Sequence, residues 1–144
     1  IAIGATAGAA GGAWIAERLA TLVPGDHAVG YIDVSFYRDD YASKGLKAGA
    51  RRSDLPFDVA GATIVLIDDV LYTGRSTRAA INELFDYGRP AAIELAVLVD
   101  RGHRELPIKA DYVGKNIPTS RRENVHVRLS DTDGTDEVSV ESEA

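Results

Sequence analysis

The sequence predicts an α/β fold with a mainly parallel central sheet, flanking helices and a C-terminal antiparallel hairpin at one edge. Apolar, β-branched runs at residues 62–67 and 91–99 are typical of strands buried on both faces of a parallel sheet. Helical periodicity lies between these two runs, and strands that alternate with helices form right-handed parallel crossovers. Strand-like residues 125–129 and 137–140 flank a turn at 131–134, which predicts the hairpin.

The composition indicates one globular domain that spans residues 1–144. The chain has 144 residues with 45% hydrophobic content, enough for a full core. A net charge of −6 excludes a uniformly basic nucleic-acid binder but not a local basic patch. The lack of cysteine excludes a disulfide framework and a zinc–thiolate site. No apolar run approaches ~18 residues and no signal peptide is visible, so we expect a cytoplasmic protein without a membrane segment.

The N-terminal segment predicts a strand at residues 1–4, a small-residue loop at 5–12 and a helix at about 13–22. The first residue is not Met and the chain opens within a strand, so we expect the domain to lack its first helix. The loop glycines do not match the GxGxxG fingerprint of dinucleotide-binding proteins. The loop is therefore either a tight Gly-rich turn or a backbone segment that touches a phosphate group.

A polar segment at residues 35–52 follows a second predicted strand at 28–34. Its mixed charge is typical of a flexible flap or of a solvated loop. Tyr37, Arg38, Asp39 and Asp40 form a dense polar cluster, which favours a functional flap.

Residues 62–88 predict a specific binding site. Asp68 and Asp69 come where the strand should end, and two adjacent carboxylates need a cation or hydroxyl donors nearby. A turn follows, and then a helix from about residue 76 that Gly88 ends. Backbone N–H groups at a helix N-terminus bind anions, phosphate above all, and acids beside a phosphate indicate a phosphorylated sugar. Two solvated aspartates beside an ordinary turn are the alternative. The turn residues are Thr73, Gly74, Arg75, Ser76 and Thr77.

Asp100 follows the strand at 91–99 at the edge where open α/β sheets bind ligands. The charged loop after it contains a single histidine, His103, with Arg101, Arg104 and Lys109 nearby. Such a histidine is either a surface residue or part of a phosphate or RNA contact. A further strand is predicted at residues 111–114, followed by a loop at 115–120.

The residues also carry a family resemblance. VLIDDVLYTGRSTRA resembles the phosphoribosyl-pyrophosphate (PRPP) motif of type I phosphoribosyltransferases. IDVSFYRDDY and FDYGRPAAIELAVLVDRGHRELPIKADYVGKNIPTS resemble the bacterial pyrimidine operon regulators that are also uracil phosphoribosyltransferases, the PyrR family. The match covers roughly residues 28–140, and it implies the type I phosphoribosyltransferase fold.

The resemblance implies transfer of a phosphoribosyl group from PRPP to uracil, which gives UMP and pyrophosphate. Mg²⁺ would be bound mainly through PRPP, with Asp68 and Asp69 as possible protein ligands. The implied catalytic residues are Asp68, Asp69, Arg38 and Asp39. The same two acids with Thr73, Gly74, Arg75, Ser76 and Thr77 would bind PRPP and its 5′-phosphate. Pyrophosphate would lie at Gly11 and Gly12, and uracil at Tyr112, Val113, Lys115 and Ile117.

A second implied activity is binding of pyrimidine operon leader mRNA, promoted by UMP or UTP. The matching basic residues are His103, Arg104, Lys109 and Lys115. The family also implies a homodimer or homotetramer. Two alternatives remain: a phosphoribosyltransferase for another nucleobase, and a nucleotide-sensing RNA-binding regulator with little catalysis.

Overall fold

A computed structural model describes residues 2–7, 10–33, 54–129 and 134–142. The predicted flap, with Arg38 and Asp39, and most of the predicted turn at 131–134 lie outside these residues. The helices and strands are β1 Ala2–Ala7, α1 Ala10–Leu22, β2 Ala28–Asp33, β3 Thr63–Leu71, α2 Arg75–Tyr87, β4 Ala92–Asp100, β5 Tyr112–Asn116, β6 Glu123–Arg128 and β7 Glu137–Ser142. In the part of the chain that is described, no helix combines the length and apolar character needed to cross a membrane.

The central sheet has five strands in the order β2-β1-β3-β4-β5, and every neighbouring pair is parallel. The chain moves outward from β1 to β2 and then returns to place β3 on the other side of β1. Strand order therefore reverses between β1 and β3. In open sheets of this kind the crevice at the carboxyl ends of these two strands is where ligands bind.

Helices α1 and α2 cover opposite faces of the sheet, because side chains alternate along a strand. Leu66 of β3 packs in the core cluster that contains Leu84 of α2. Ile67, the next residue, packs with Ala16 of α1. Leu66, Ile67, Leu84 and Ala16 are almost fully buried. The predicted doubly covered parallel sheet is therefore present.

The C-terminal hairpin is also present, with β6 and β7 paired antiparallel through Val125↔Val140 and Val127↔Val138. It forms a separate two-stranded sheet, so its predicted place at an edge of the main sheet is wrong. Side-chain contacts join it to the rest of the molecule instead. The buried guanidinium of Arg101 donates a hydrogen bond to the carbonyl of Glu123, the first residue of β6.

The predicted ends of β1, β3 and β5 are wrong because strand pairing runs further than residue type indicates. β5, predicted to end at residue 114, continues to Asn116, which still pairs with Asp100. β1 continues to Ala7, since it pairs with β2 as far as Asp33. The predicted loop therefore shrinks, and Gly11 and Gly12 lie in the first turn of α1. Likewise β3 continues to Leu71 because that residue still pairs with β4. Its acidic pair, predicted after the strand, lies inside it.

Candidate active site

The acidic pair lies near the carboxyl end of β3. Asp68 pairs in register with Val97 of β4. Both carboxylates are half-buried. Oδ1 of Asp68 accepts a hydrogen bond from the N–H of Asp69 at 2.8 Å, and Oδ1 of Asp69 accepts one from the N–H of Val70 at 2.8 Å. A carboxylate has about four lone-pair sites, so Asp69 keeps capacity for hydroxyl donors.

The carboxylates of Asp68 and Asp69 are also placed to contact a metal ion that is bound to a ligand. Among the described residues, no group of three or more His, Cys, Asp or Glu side chains is arranged to hold a metal. Mg²⁺ is commonly bound by one or two carboxylates together with substrate phosphates. Asp68 and Asp69 fit that mode and do not form a complete protein cage.

The turn between β3 and α2 leaves backbone N–H groups unpaired at the carboxyl edge of the sheet. Gly74 has φ 94° and ψ −1°, a left-handed conformation that favours glycine. α2 begins at Arg75, whose N–H donates to Oγ1 of Thr73 at 3.2 Å. The N–H groups of Gly74, Ser76 and Thr77 have no hydrogen-bond partner within the described ranges. The first turn of α2 carries no acidic residue, so the positive end of its dipole is open to an anion such as phosphate.

Residues 101–109, which we call the charged loop, contact this turn on its carbonyl side. The carbonyl of Thr73 accepts a hydrogen bond from the N–H of Glu105 at 2.9 Å. Gly74 is buried against Ile108, and a Cβ at position 74 would lie 3.0 Å from Cγ1 of that side chain. The charged loop therefore fixes the shape of the turn from behind.

Arg104 is a half-buried residue of the charged loop with three partners. Its Nη1 donates to the carbonyl of Tyr72 and its Nε to that of Ile108, both at 2.8 Å. Its Nη2 donates to Oδ2 of Asp100 at 2.5 Å. Burial raises the pKa of Asp100, but hydrogen bonds from Arg104 and from the N–H of Gly102, with the Arg104 charge, hold this pKa below its ordinary value.

Arg101 is a buried cation behind the same turn, with 6% of its surface exposed. Its guanidinium carbon lies 4.0 Å from the centroid of the Tyr72 ring. Its Nη2 donates to the carbonyls of Ser120 at 3.0 Å and Glu123 at 2.6 Å. Tyr72 is thereby held between the sheet and the segment that leads to the hairpin. Sequence reasoning missed this role, because an arginine in a charged loop has the appearance of a surface residue.

The four basic residues that the family resemblance links to RNA differ in exposure. Lys109 and Lys115 are exposed, as a phosphate contact requires. His103 is half-buried with φ 64°, and its Nε2 lies 2.5 Å from the carbonyl of Thr119. Arg104 is committed to the internal partners described above. Two of the four side chains are thus placed for surface contacts, and two form part of the internal structure.

The residues linked to uracil lie along β5 and just after it. Tyr112 pairs with Ala96 in the middle of the sheet, and its hydroxyl donates to Glu94 at 2.8 Å, which raises the pKa of Tyr112. Ile117 lies at the carboxyl edge, where its N–H donates to the carbonyl of Asp100 at 2.9 Å. The hydroxyl of Tyr112 therefore points to the start of β4. Ile117, by contrast, lies at the same edge of the sheet as residues 73–77, which we call the phosphate turn.

Val97 of β4 lies between the acidic pair and β5, because it pairs with Asp68 on one side and with Val113 on the other. Two residues further along β5, Lys115 pairs with Val99. The chain from position 113 onward thus runs to the edge that carries the acids and the phosphate turn.

The glycines linked to pyrophosphate lie across the crevice from Asp68. Gly11 and Gly12 are in the first turn of α1, directly after β1, the strand that neighbours β3. The site therefore contains two helix N-termini on either side of the point where strand order reverses. This arrangement suits a ligand with two separate phosphate groups.

Comparisons with known proteins identify the fold and the family. Residues 8–132 match the family model described as a phosphoribosyl transferase domain. A hypoxanthine-guanine phosphoribosyltransferase from Bacillus anthracis superposes with a TM-score of 0.63 at 20% identity, over 81% of this chain and 67% of that one. A mutant from a study of an invariant aspartic acid in HPRTs superposes with a TM-score of 0.66 at 21% identity, over 97% and 75% of the two chains. These matches confirm the predicted fold, and the class of protein is a phosphoribosyltransferase.

Relatives of higher identity narrow the class. The bifunctional protein PyrR of Chloroflexus aurantiacus is 55% identical over 86% of this chain and 70% of its own length. That of Thermus aquaticus is 54% identical over 86% and 68%. That of Roseiflexus is 58% identical over 74% and 58%. The chain belongs to the PyrR family of phosphoribosyltransferases.

Proposed function

We propose that the protein transfers the phosphoribosyl group of PRPP to uracil and also binds pyrimidine operon leader mRNA under the control of UMP and UTP. The observation that carries the proposal is the crevice between β1 and β3. Two half-buried carboxylates there stand beside a helix N-terminus with unpaired N–H groups. Relatives named as bifunctional PyrR proteins support both activities.

In the transfer step the bond from C1 of the ribose to the pyrophosphate oxygen breaks and a bond to N1 of uracil forms. The N1 proton is released. An anomeric centre passes through an oxocarbenium-like state, so the protein has to orient the sugar and stabilise the departing charge. Asp68 and Asp69 would accept hydrogen bonds from the ribose hydroxyls. Bound Mg²⁺ would neutralise the pyrophosphate.

The remaining contacts follow from the positions of the elements. The N–H groups of Thr73, Gly74, Ser76 and Thr77 would bind the 5′-phosphate. Gly11 and Gly12 would lie against the pyrophosphate. Val113, Lys115 and Ile117, with Tyr112, would lie beside uracil. Arg38 and Asp39 would act from the predicted flap, whose closure would keep water from the reactive sugar.

The enzymatic proposal is tested by PRPP-dependent UMP formation over a panel of nucleobases. Asp68→Asn and Asp69→Asn should each lower kcat/KM by at least about 100-fold, since a hydrogen bond to a charged group is lost at the reacting sugar. Asp86→Asn is the matched control, because this acid is exposed on α2 far from the crevice. Consumption of a purine in place of uracil would support the other-nucleobase alternative, and PRPP binding without turnover would support a sensor.

RNA binding is tested by titration of a leader stem-loop with and without UMP at several salt concentrations. Lys109→Gln and Lys115→Gln should each weaken binding and reduce its salt dependence, because a phosphate contact releases counterions. Arg89→Gln removes the same charge from an exposed residue at the opposite edge of the sheet and should leave binding unchanged. Equal effects of all three variants would refute a defined RNA surface.

A protein that acts on nascent mRNA would be cytoplasmic, and we propose a homodimer or homotetramer. Light scattering of the complete protein measures the oligomeric state directly.

A further inference from the structure

Arg104 joins Tyr72, which follows β3, to Asp100 and Ile108, which lie four residues before and after it in the chain. Three different nitrogens of its guanidinium bind the carbonyl of Tyr72, the carbonyl of Ile108 and the carboxylate of Asp100. Its side chain is 24% exposed and that of Asp100 is 18% exposed. The planar fork of arginine can bind several acceptors in fixed directions, which the single ammonium of lysine cannot.

The carbonyl that Arg104 binds belongs to the peptide before Thr73. In a planar trans peptide the C=O and the following N–H point in opposite directions. Holding the Tyr72 carbonyl against the charged loop therefore directs the N–H of Thr73 away from that loop. The bond from the Glu105 N–H to the Thr73 carbonyl does the same for the N–H of Gly74.

We propose that Arg104 is a positioning residue for the 5′-phosphate: it aims the N–H of Thr73, at the start of the turn between β3 and α2, without touching the ligand. The carboxylate of Asp100 compensates its charge at close range, so its role is orientation and not attraction of the anion. The inference rests on the proposed function for the identity of the phosphate. It also gives Arg104 a role other than direct RNA contact.

The first experiment measures binding of ribose 5-phosphate and UMP by calorimetry on the wild-type protein, Arg104→Lys and Arg104→Gln. Both substitutions should raise the Kd of each ligand about tenfold, the effect of losing one charge-assisted hydrogen bond. Lysine should fail to rescue, since it cannot hold two carbonyls and a carboxylate together. Arg121→Gln is the matched control: this arginine is 65% exposed and lies 3.8 Å from Glu105 of the same loop. Its Kd values should be those of the wild type.

The second measurement separates positioning from general structural damage. KM for PRPP should rise about tenfold in both Arg104 variants, while KM for uracil and the inhibition constant of pyrophosphate stay within about twofold. Asp100→Asn keeps the Arg104 donors and an acceptor oxygen but removes the negative charge, so it should shift the same constants in the same direction and by less.

An unchanged Kd for ribose 5-phosphate in Arg104→Gln would overturn the inference. Equal losses of affinity for uracil, for pyrophosphate and for ribose 5-phosphate would also overturn it. Full rescue by Arg104→Lys would also overturn it, because charge alone would then suffice. Binding of ribose 5-phosphate needs no uracil turnover. A protein that forms no UMP but shows the Arg104 effect would therefore refute the proposed activity and leave the inference standing.

Discussion

Asp100 illustrates how one carboxylate of the site contributes to stability. Its folded-state pKa lies below the ordinary value, so its contribution is present above about pH 4 and is lost as pH falls through the folded pKa. Asp100→Asn should lower the free energy of unfolding by about 2 kcal/mol at pH 7, because Arg104 and the Gly102 N–H lose a charged acceptor. The difference from wild type in the free energy of unfolding should shrink as the pH falls below about 4. Urea denaturation at pH 7, 5 and 3.5 measures it.

Asp86→Asn is the control for this experiment. Asp86 is exposed on α2, and its substitution should change stability by less than about 0.5 kcal/mol at each pH. The free energies of unfolding of wild type and Asp100→Asn could instead differ by the same amount at every pH. That result would contradict a role for the ionised carboxylate.

At the scale of elements, the junction of β3 and α2 depends on Gly74. Gly74→Ala should cost about 1–2 kcal/mol for a side chain at positive φ and about 1–3 kcal/mol more for overpacking against Ile108. Gly61→Ala is the matched control, since Gly61 has φ 75° with nothing within 4 Å of an added Cβ. It should show the conformational cost alone. Chemical denaturation gives both values, and KM for PRPP should rise only for Gly74→Ala.

A double variant tests the cause of the larger loss. Ile108→Ala removes the Cγ1 atom that a Cβ at position 74 would meet at 3.0 Å. Gly74→Ala combined with Ile108→Ala should therefore be less destabilised than the sum of the two single variants. Simple additivity would show that Cγ1 of Ile108 does not contribute, since Cβ of residue 108 stays 3.1 Å from the added atom in the double variant.

Secondary structure near the site was predictable where it depends on local pattern. The buried runs of β3 and β4, the helix after the turn and its end before Gly88 all follow from residue type and periodicity. The carboxyl ends of β1 and β3 were not predictable, because they extend only as far as their neighbours provide hydrogen-bond partners. That information lies in the register, such as Leu71↔Asp100, and not in the segment itself.

The roles of side chains in the site were likewise predictable only where they depend on local sequence. The Asp68–Asp69 pair and the phosphate turn were predictable, since their chemistry is concentrated in one stretch of sequence. By contrast, the carbonyl of Tyr72, which Arg104 binds, lies 32 residues away in sequence, so this contact forms only in the folded chain. Charge in a loop indicates exposure on average, and here tertiary contacts override it.

For the whole molecule, the main question is how the two separate sheets stay together. A two-stranded hairpin has little stability by itself in water. Val138 and Val140 of the hairpin are 39% and 38% exposed, so its apolar face is only partly covered. The buried Arg101 connects the two units, because its guanidinium contacts Tyr72 and also binds the carbonyl of Glu123.

Arg101→Lys should therefore loosen the hairpin more than the central sheet. Lysine loses the paired carbonyl bonds and the close stacking on Tyr72, so amides of residues 123–128 and 137–142 should exchange with solvent about tenfold faster. Amides of β3 and β4 should keep their wild-type exchange rates. Arg121→Lys, an exposed substitution in the segment whose carbonyls Arg101 binds, should change neither region. Uniform acceleration across both sheets would show that Arg101 supports global stability and does not specifically connect the hairpin to the sheet.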